Sequence, residues 1–329
     1  MKSNDVQQLA EMKKLFLKPG QYILQVSLFL FSAFACNKSN PPGVNAQTST
    51  ISYVLANASN TTIFHSAVVK AGLDTVFNSP SLFTVFVPTD QACIQSGYSQ
   101  TVINGFSGDQ AKQWVLYQTY AGTVFTTESF IGKSEEKLVM ADGDSIFVSG
   151  DSNRTFVNGF ETQSSELTTS NGVLIALQNV LVPPTKNLEQ LVNSDTSFTF
   201  LSQAINLASP TPDSLSTLLS TGGPFTFFAP DNDAFRKLGY NSPTDLNAVN
   251  PDSLRLIVLL SLIPQRLFSN DISDSSTFKT VSDSTLIFSI PGLEAQVKVL
   301  GSPFTSNIIT INSMAINGVL FKIDELLDH

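Results

Sequence analysis

The sequence predicts an α+β protein made of two tandem domains, and three observations predict it. The chain has 329 residues, room for two domains of ordinary size, and 42% of them are apolar, enough for a core in each. Two stretches recur in the same order at nearly the same offset. FTVFVPTDQAC (Phe83 to Cys93) matches FTFFAPDNDAF (Phe225 to Phe235), and NGVLIALQNVL (Asn171 to Leu181) matches NGVLFKIDELL (Asn317 to Leu327). The offsets are 142 and 146 residues, so the repeating unit is a whole domain and not a solenoid module. Within each unit helical patterns precede strand patterns, the order of an α+β fold and not of alternating βαβ units.

The N-terminus reads as an address and an anchor. From Tyr22 to Ala35 runs a mostly apolar stretch of fourteen residues, flanked by Lys13, Lys14 and Lys18. A membrane-spanning helix needs about 20 apolar residues, so this stretch has the size of a signal-peptide core. It ends in Ala33-Phe34-Ala35 directly before Cys36, which resembles a bacterial lipobox whose cysteine becomes the lipid attachment site. Phe34 and Ala33 depart from the usual pattern there, and an ordinary secretory signal with a free Cys36 is the alternative. Residues 1–35 are thus expected to be a signal peptide, with Met12 as an alternative start. Residues 36–47, polar with Pro41, Pro42 and Gly43, are expected to be the lipidated cysteine and a flexible tether.

In the first repeated box an apolar strand runs into a proline and a helix starts behind it. Thr89 and Asp231 take the N-cap position, and Asp90, Gln91, Asn232 and Asp233 fill a first turn that suits the helix dipole. Ahead of the box, Ile63, Phe64, Ala67, Val68 and Ala71 recur at helical spacing, as do Phe198, Leu201, Ala204 and Ile205. In the second box Asn-Gly makes a tight turn. A strand follows, with Val319, Phe321 and Ile323 alternating with Leu320 and Lys322. Further strands are expected at Ser145 to Val148, Thr285 to Ile290, Gln296 to Val299 and Ile308 to Asn312.

These boxes resemble the signature of the fasciclin family. Val85 to Ala92 and Phe227 to Phe235 look like its strand-to-helix box, and Asn171 to Pro184 and Asn317 to Leu327 like its closing Asn-Gly-Val box. The resemblance covers about residues 48–184 and 187–329. It implies, for each domain, a wedge of two β-sheets with helices packed at one side. It also implies a non-catalytic role in adhesion or ligand binding at cell surfaces. Many members carry a Tyr-His pair midway. Here Tyr117 is kept but Gln118 replaces the histidine, and the second copy reads Leu259-Leu260-Ser261-Leu262, with Leu262 at the expected histidine position. Binding of the animal receptor type is therefore not expected.

Composition excludes several classes. The first 35 residues hold four Lys and two acids; the remainder holds 14 basic and 25 acidic residues, a net charge of −11 that repels nucleic acid. Two histidines, His65 and His329, and one thiol outside the lipobox cannot assemble a transition-metal set or a His-based triad within one chain. Asp142-Gly143-Asp144 and Asp231-Asn232-Asp233 read as a turn and a helix cap, and not as calcium loops. Cys93 aligns with Phe235 and reads as a small core residue. The expectation is a cell-envelope lipoprotein, held by Cys36 at the outer membrane, with no cofactor and no metal. Its expected partner is an envelope or matrix protein or polysaccharide, bound through residues the sequence does not name. A structural spacer of the envelope is the alternative, and an envelope hydrolase a more distant one.

Overall fold

Two strands that are buried on both faces organise each domain. The computed structural model describes residues 48–209, 215–292 and 294–328; Cys36 and the residues before it lie outside this range. In the first domain the helices Ile51–Asn57, Thr62–Lys70 and Asp74–Phe77 precede β1 (Phe83–Pro88). The helices Asp90–Gln95, Gln100–Gly105 and Gly108–Tyr117 follow it. Then come β2 (Thr119–Ala121), β3 (Glu136–Val139), β4 (Ser145–Gly150), β5 (Thr155–Val157), β6 (Phe160–Thr169) and β7 (Gly172–Leu177). The strand order is β2-β1-β7-β6-β5-β4-β3, with β1 and β7 parallel and every other pair antiparallel. The long β6 belongs to both halves of this wedge, and a register shift between Thr162 and Glu166 marks where one half turns into the other.

The second domain repeats the plan. Helices Leu188–Ser194, Thr199–Leu207 and Leu215–Thr221 precede β8 (Phe225–Pro230), and helices Asn232–Lys237 and Pro251–Leu260 follow it. The remaining strands are β9 (Leu262–Ile263), β10 (Thr277–Lys279), β11 (Thr285–Ser289), β12 (Gln296–Val299), β13 (Ser306–Ala315) and β14 (Gly318–Ile323). Their order is β10-β11-β12-β13-β14-β8-β9, and β8 and β14 form the parallel pair.

Each central pair has a core on either side. Against the helices pack Phe83, Val85, Val87 and Leu174, with Phe64, Trp114 and Val115. On the other face Phe86, Val173, Ile175 and Leu177 meet Phe130, Ile146 and Val148. The second domain does the same, with Phe227 and Leu320 under the helices and Phe228, Val319 and Phe321 on the far side. The period-2 alternation expected of β14 holds, as an alternation between two covered faces: Val319, Phe321 and Ile323 meet the far core, and Leu320 is buried too because the helix layer covers the face that an exposed strand would give to solvent. Only Lys322 is partly exposed, its ammonium 3.5 Å from Asp195.

One connection differs between the copies. Val157 pairs with Phe160 across a two-residue turn, Asn158-Gly159, whereas Val297 pairs with Ser306 across eight residues. The short turn has both φ angles positive, 48° and 81°, the conformation favoured by Asn-Gly in tight hairpins. Its tip is the joint between the domains. The Gly159 carbonyl accepts hydrogen bonds from Ser269 Oγ and Asn312 Nδ2, both at 3.1 Å. Asn312 is itself in the left-handed region (φ 58°) at an irregularity of β13, and its Oδ1 accepts from Ser269 N at 2.8 Å. A Cβ on Gly159 would stand 2.5 Å from Asn312 Nδ2 and 2.6 Å from Phe268 Cβ, so only glycine fits. Phe147 of β4 packs on the second domain's core, with the Arg266 guanidinium 4.0 Å from its ring centroid. Asn270 Nδ2 donates to Ser149 Oγ at 3.1 Å. Both domains belong to one compact unit.

Candidate functional site

The repeated boxes turn out to be internal fasteners. Thr89 accepts from Ala92 N, and Asp231 accepts from Asp233 N and Ala234 N, so both cap their helices as the sequence implies. The next residue does something the sequence did not disclose. Asp90 reaches to the neighbouring helix, taking Ile63 N at 2.8 Å and Thr62 Oγ1 at 2.8 Å. Asn232 takes Phe200 N and Thr199 Oγ1 in the same way. Two helices are thus capped by one box.

The Asn-Gly boxes are fasteners too. Asn171 Oδ1 accepts from Ile51 N, and its Nδ2 donates to Phe77 O and Ser79 O. Asn317 makes the same three bonds, to Leu188 N, Leu219 O and Gly222 O. Each therefore ties the start of the domain's first helix to the chain entering β1 or β8. The glycines behind them permit the parallel pairing: a Cβ on Gly172 would lie 2.0 Å from Phe83 O, and one on Gly318 2.2 Å from Phe225 O.

The midway pair is buried and so unavailable to a partner. Tyr117 is fully buried, its hydroxyl donating to Ser145 O at 3.2 Å, and burial pushes its pKa up. Gln118 is equally buried; its Nε2 donates to Trp114 O and Leu181 O, and its Oε1 accepts from Leu181 N. The residue equivalent to Gln118 in the second domain is Ser261, not Leu262: Phe86 N donates to Gln118 O, and Phe228 N donates to Ser261 O. The connection between β8 and β9 is one residue longer than that between β1 and β2, which moves the offset from 142 at Phe86 and Phe228 to 143 at Gln118 and Ser261.

The titratable candidates fall out similarly. Cys93 is fully buried, and burial, with a contribution from Asp90, pushes its thiol up to about 12. His65 is partly buried with Nε2 3.9 Å from Asp74 Oδ1. Asp142-Gly143-Asp144 is the turn between β3 and β4, with Gly143 at φ 98° and Asp144 N donating to Asp142 Oδ1. Burial raises the Asp142 carboxyl. Among the described residues no three His, Cys, Asp or Glu side chains are placed to share a metal ion.

What remains for a ligand is surface. The first helix of the second domain borders two adjoining clefts. One, of about 290 Å³, is lined by Asn193, Asp195, Thr196, Thr199, Ser202 and Gln203, with Val192, Ser194 and Pro243. The other, of about 390 Å³, adds Thr185, Lys186 and Gln190 and shares Asn193 and Ser194. Hydroxyl and amide side chains stand among mostly apolar wall surface, and some are fixed already: Ser202 Oγ donates to Asn193 Oδ1 at 2.6 Å, and Lys186 Nζ to Ser194 Oγ at 2.8 Å. Burial alone would raise the Asp195 carboxyl, but hydrogen bonds from Ser197 and the charge of Lys322 hold it below the usual range. Such a surface can hydrogen-bond a hydroxyl-rich or peptide ligand; it contains no nucleophile paired with a base. No sequence pattern singles these residues out, because they come together only through the turn between two helices.

The Fasciclin domain family model matches residues 59–183 and 196–329. Transforming growth factor-beta-induced protein ig-h3 of Sus scrofa is 28% identical over 160 residues, 48% of this chain and 22% of that protein. Human periostin is 23% identical over 227 residues, 68% and 25% of the two chains. Mouse stabilin-1 is 27% identical over 149 residues, 44% of this chain and 6% of the relative. The chain thus spans a quarter or less of these relatives' own lengths. A solved FAS1 domain pair from the insect cell adhesion molecule fasciclin I is 14% identical with a TM-score of 0.40, covering 81% of this chain and 96% of that one.

Proposed function

We infer what this protein does from one premise: the chain belongs to the fasciclin family and carries its domain twice. It acts as a non-catalytic adhesion or binding protein of the cell envelope, held at the outer membrane by lipid on Cys36. Its ligand is a glycan or protein of the envelope or matrix. The observation that carries this reading is where the polar groups of the four boxes go. Asn171, Asn317, Asp90 and Asn232 are all engaged inside the fold, as are Tyr117 and Gln118 between the boxes, which leaves hydrogen-bonding surface as the means of action. Adhesion is the role that the family resemblance implies, and the clefts beside Asn193, with hydroxyl and amide side chains set in apolar walls, suit it.

The joint adds a reason for two copies. A ligand touching both domains meets them at a fixed spacing, so the second contact is made at high effective concentration. The test has two arms. The full chain is screened against envelope polysaccharides and proteins, with and without chelator, beside the same chain carrying Asn193→Ala and Gln203→Ala. Chelator-insensitive binding weakened by these substitutions is expected; binding lost with chelator would return the acidic turns as ligands. For the anchor, Cys36→Ala is expected to lose fatty-acid labelling and leave the detergent phase. Wild-type protein recovered wholly in the aqueous phase would end the lipoprotein reading.

A further inference from the structure

Asn-Gly occurs four times in the chain, at Asn104-Gly105, Asn158-Gly159, Asn171-Gly172 and Asn317-Gly318. In the last three the fold accounts for both residues. Asn171 and Asn317 each make three hydrogen bonds that tie down the oxygen and the nitrogen of the carboxamide. Asn158 is buried, with its Oδ1 on Phe147 N. Their glycines are required too: a Cβ on Gly159, Gly172 or Gly318 would stand 2.5, 2.0 or 2.2 Å from a neighbouring atom.

Asn104-Gly105 has no such explanation. It closes the six-residue helix Gln100–Gly105, and both residues are exposed. Gly105 is outside the left-handed region, and a Cβ there would meet nothing within 4 Å. What surrounds the pair acts on the two carbonyls of Asn104. Lys70 Nζ donates to Asn104 O at 2.6 Å, and Gln100 Nε2 donates to Asn104 Oδ1 at 2.9 Å. Ser66, one helical turn before Lys70, donates to Gln100 Oε1 at 3.3 Å and so turns the amide nitrogen toward Asn104. These two donors serve opposite ends of one reaction. Asn104 O belongs to the same peptide unit as Gly105 N, so a cation on that oxygen stabilises the anion left when the N–H loses its proton. A donor on Oδ1 stabilises the oxyanion that forms when Cγ is attacked.

We propose that Asn104-Gly105 is a self-modification site, where the chain deamidates itself with Lys70 and Gln100 as the activating groups. Gly105 N gives its proton to solvent and bonds to Asn104 Cγ. The Cγ–Nδ2 bond breaks, and ammonia leaves with a proton taken from solvent. Water then opens the cyclic imide. Opening at Cγ leaves aspartate; opening at the Asn104 carbonyl carbon leaves isoaspartate, whose free carboxylate includes the oxygen that Lys70 already holds. Either product places a carboxylate beside Lys70 at the C-terminal end of the helix, where the dipole opposes it and the ammonium favours it. The other three pairs are withheld from the reaction. Carboxamides fixed by burial and hydrogen bonds cannot swing Cγ onto the next nitrogen without local opening.

The test incubates the full chain at mildly alkaline pH, digests it, and quantifies conversion at each of the four asparagines by mass spectrometry. In the folded chain Asn104 is expected to convert at least about tenfold faster than Asn158, Asn171 and Asn317, with the four rates converging after denaturation. Lys70→Met, which keeps an apolar stem and removes the charge, is expected to slow Asn104 about threefold to tenfold in the folded chain and to change nothing in the denatured one. Lys70→Arg is expected to restore most of the rate. Gly105→Ala is expected to suppress conversion while the circular dichroism spectrum stays that of the wild type. Equal conversion at the four positions in the folded chain would overturn the proposal. So would a folded-state rate at Asn104 that ignores Lys70→Met.

Discussion

The two domains solve the same closure problem with different chemistry. After its last strand, each chain must be pinned back against the body of its domain. In the first domain a buried amide does it: Gln118 grips both the N–H and the carbonyl of Leu181. In the second the equivalent Ser261 turns inward to Ile257 O and leaves the tail alone. There the tail is held at the surface, where Lys237 Nζ meets Glu325 at 2.5 Å and Asp324 O at 2.9 Å, and Ser306 Oγ accepts from Glu325 N. A second contrast lies at the joint. The position of Asn312 is held by Glu166 in the first domain, which likewise accepts from a turn N–H, that of Thr127. A carboxylate cannot also donate to an incoming carbonyl, so only the second domain has a seat for the Gly159 tip. The fold requires closure and pairing; it does not dictate which residues supply them.

The strongest test of what the copies share is to remove the common fastener. Asn171→Ala and Asn317→Ala each strand one backbone N–H and two carbonyls beneath the first helix. Each should cost its own domain about 3–5 kcal/mol. Denaturant unfolding followed with domain-specific probes checks this; a cost below about 1 kcal/mol in either domain would make the boxes decorative.

Next in size is the closure that they do not share. Gln118→Ala leaves two buried carbonyls and an N–H without a partner and should cost the first domain about 2–3 kcal/mol. Ser261→Ala removes one hydrogen bond to the preceding helical turn and should cost under about 1 kcal/mol. Equal losses in calorimetry would mean that the amide clasp is incidental.

The smallest effect separates Cys93 from Phe235, and it depends on pH. A thiol held neutral by burial favours the folded state fully below its ordinary value of 9.0, and the contribution is lost as the pH rises toward about 12. Between pH 9 and 11 the first domain should therefore lose stability from a cause that the second lacks, and Cys93→Ala should remove it. A thiol reagent should reach Cys93 in the folded chain at least about a hundredfold more slowly than after denaturation. Equal rates in both states would put the thiol at the surface.

Much of this was legible in the sequence because it is local or repeated. Thr89 and Asp231 announce their caps by lying between a strand's proline and an apolar helix. The Asn-Gly turns announce themselves by glycine, and the duplication shows which features belong to the fold. Other features were not legible, each for a physical reason. Asp90 and Asn232 look like helix-dipole residues, since nothing local shows that a second helix starts within reach. Gln118 reads as a lost histidine, and the connection lengths needed to align it with Ser261 exist only in the folded chain. The cleft beside Asn193 is Ser, Thr and Asn in a chain full of them.

The sequence by itself determined the α+β class, the duplication and the helix starts behind the repeated prolines, because periodicity, capping and turn chemistry act over a few residues. Tertiary structure alone decided how the copies meet. Phe147, Arg266 and Asn312 are separated by up to 165 positions and match no motif. The two-residue turn at Asn158-Gly159 could be foreseen as a turn but not as a tip seated on another domain. What is buried at such a joint depends on which surfaces the two folds present to each other, and that is a property of assembled shape and charge, not of any stretch of chain.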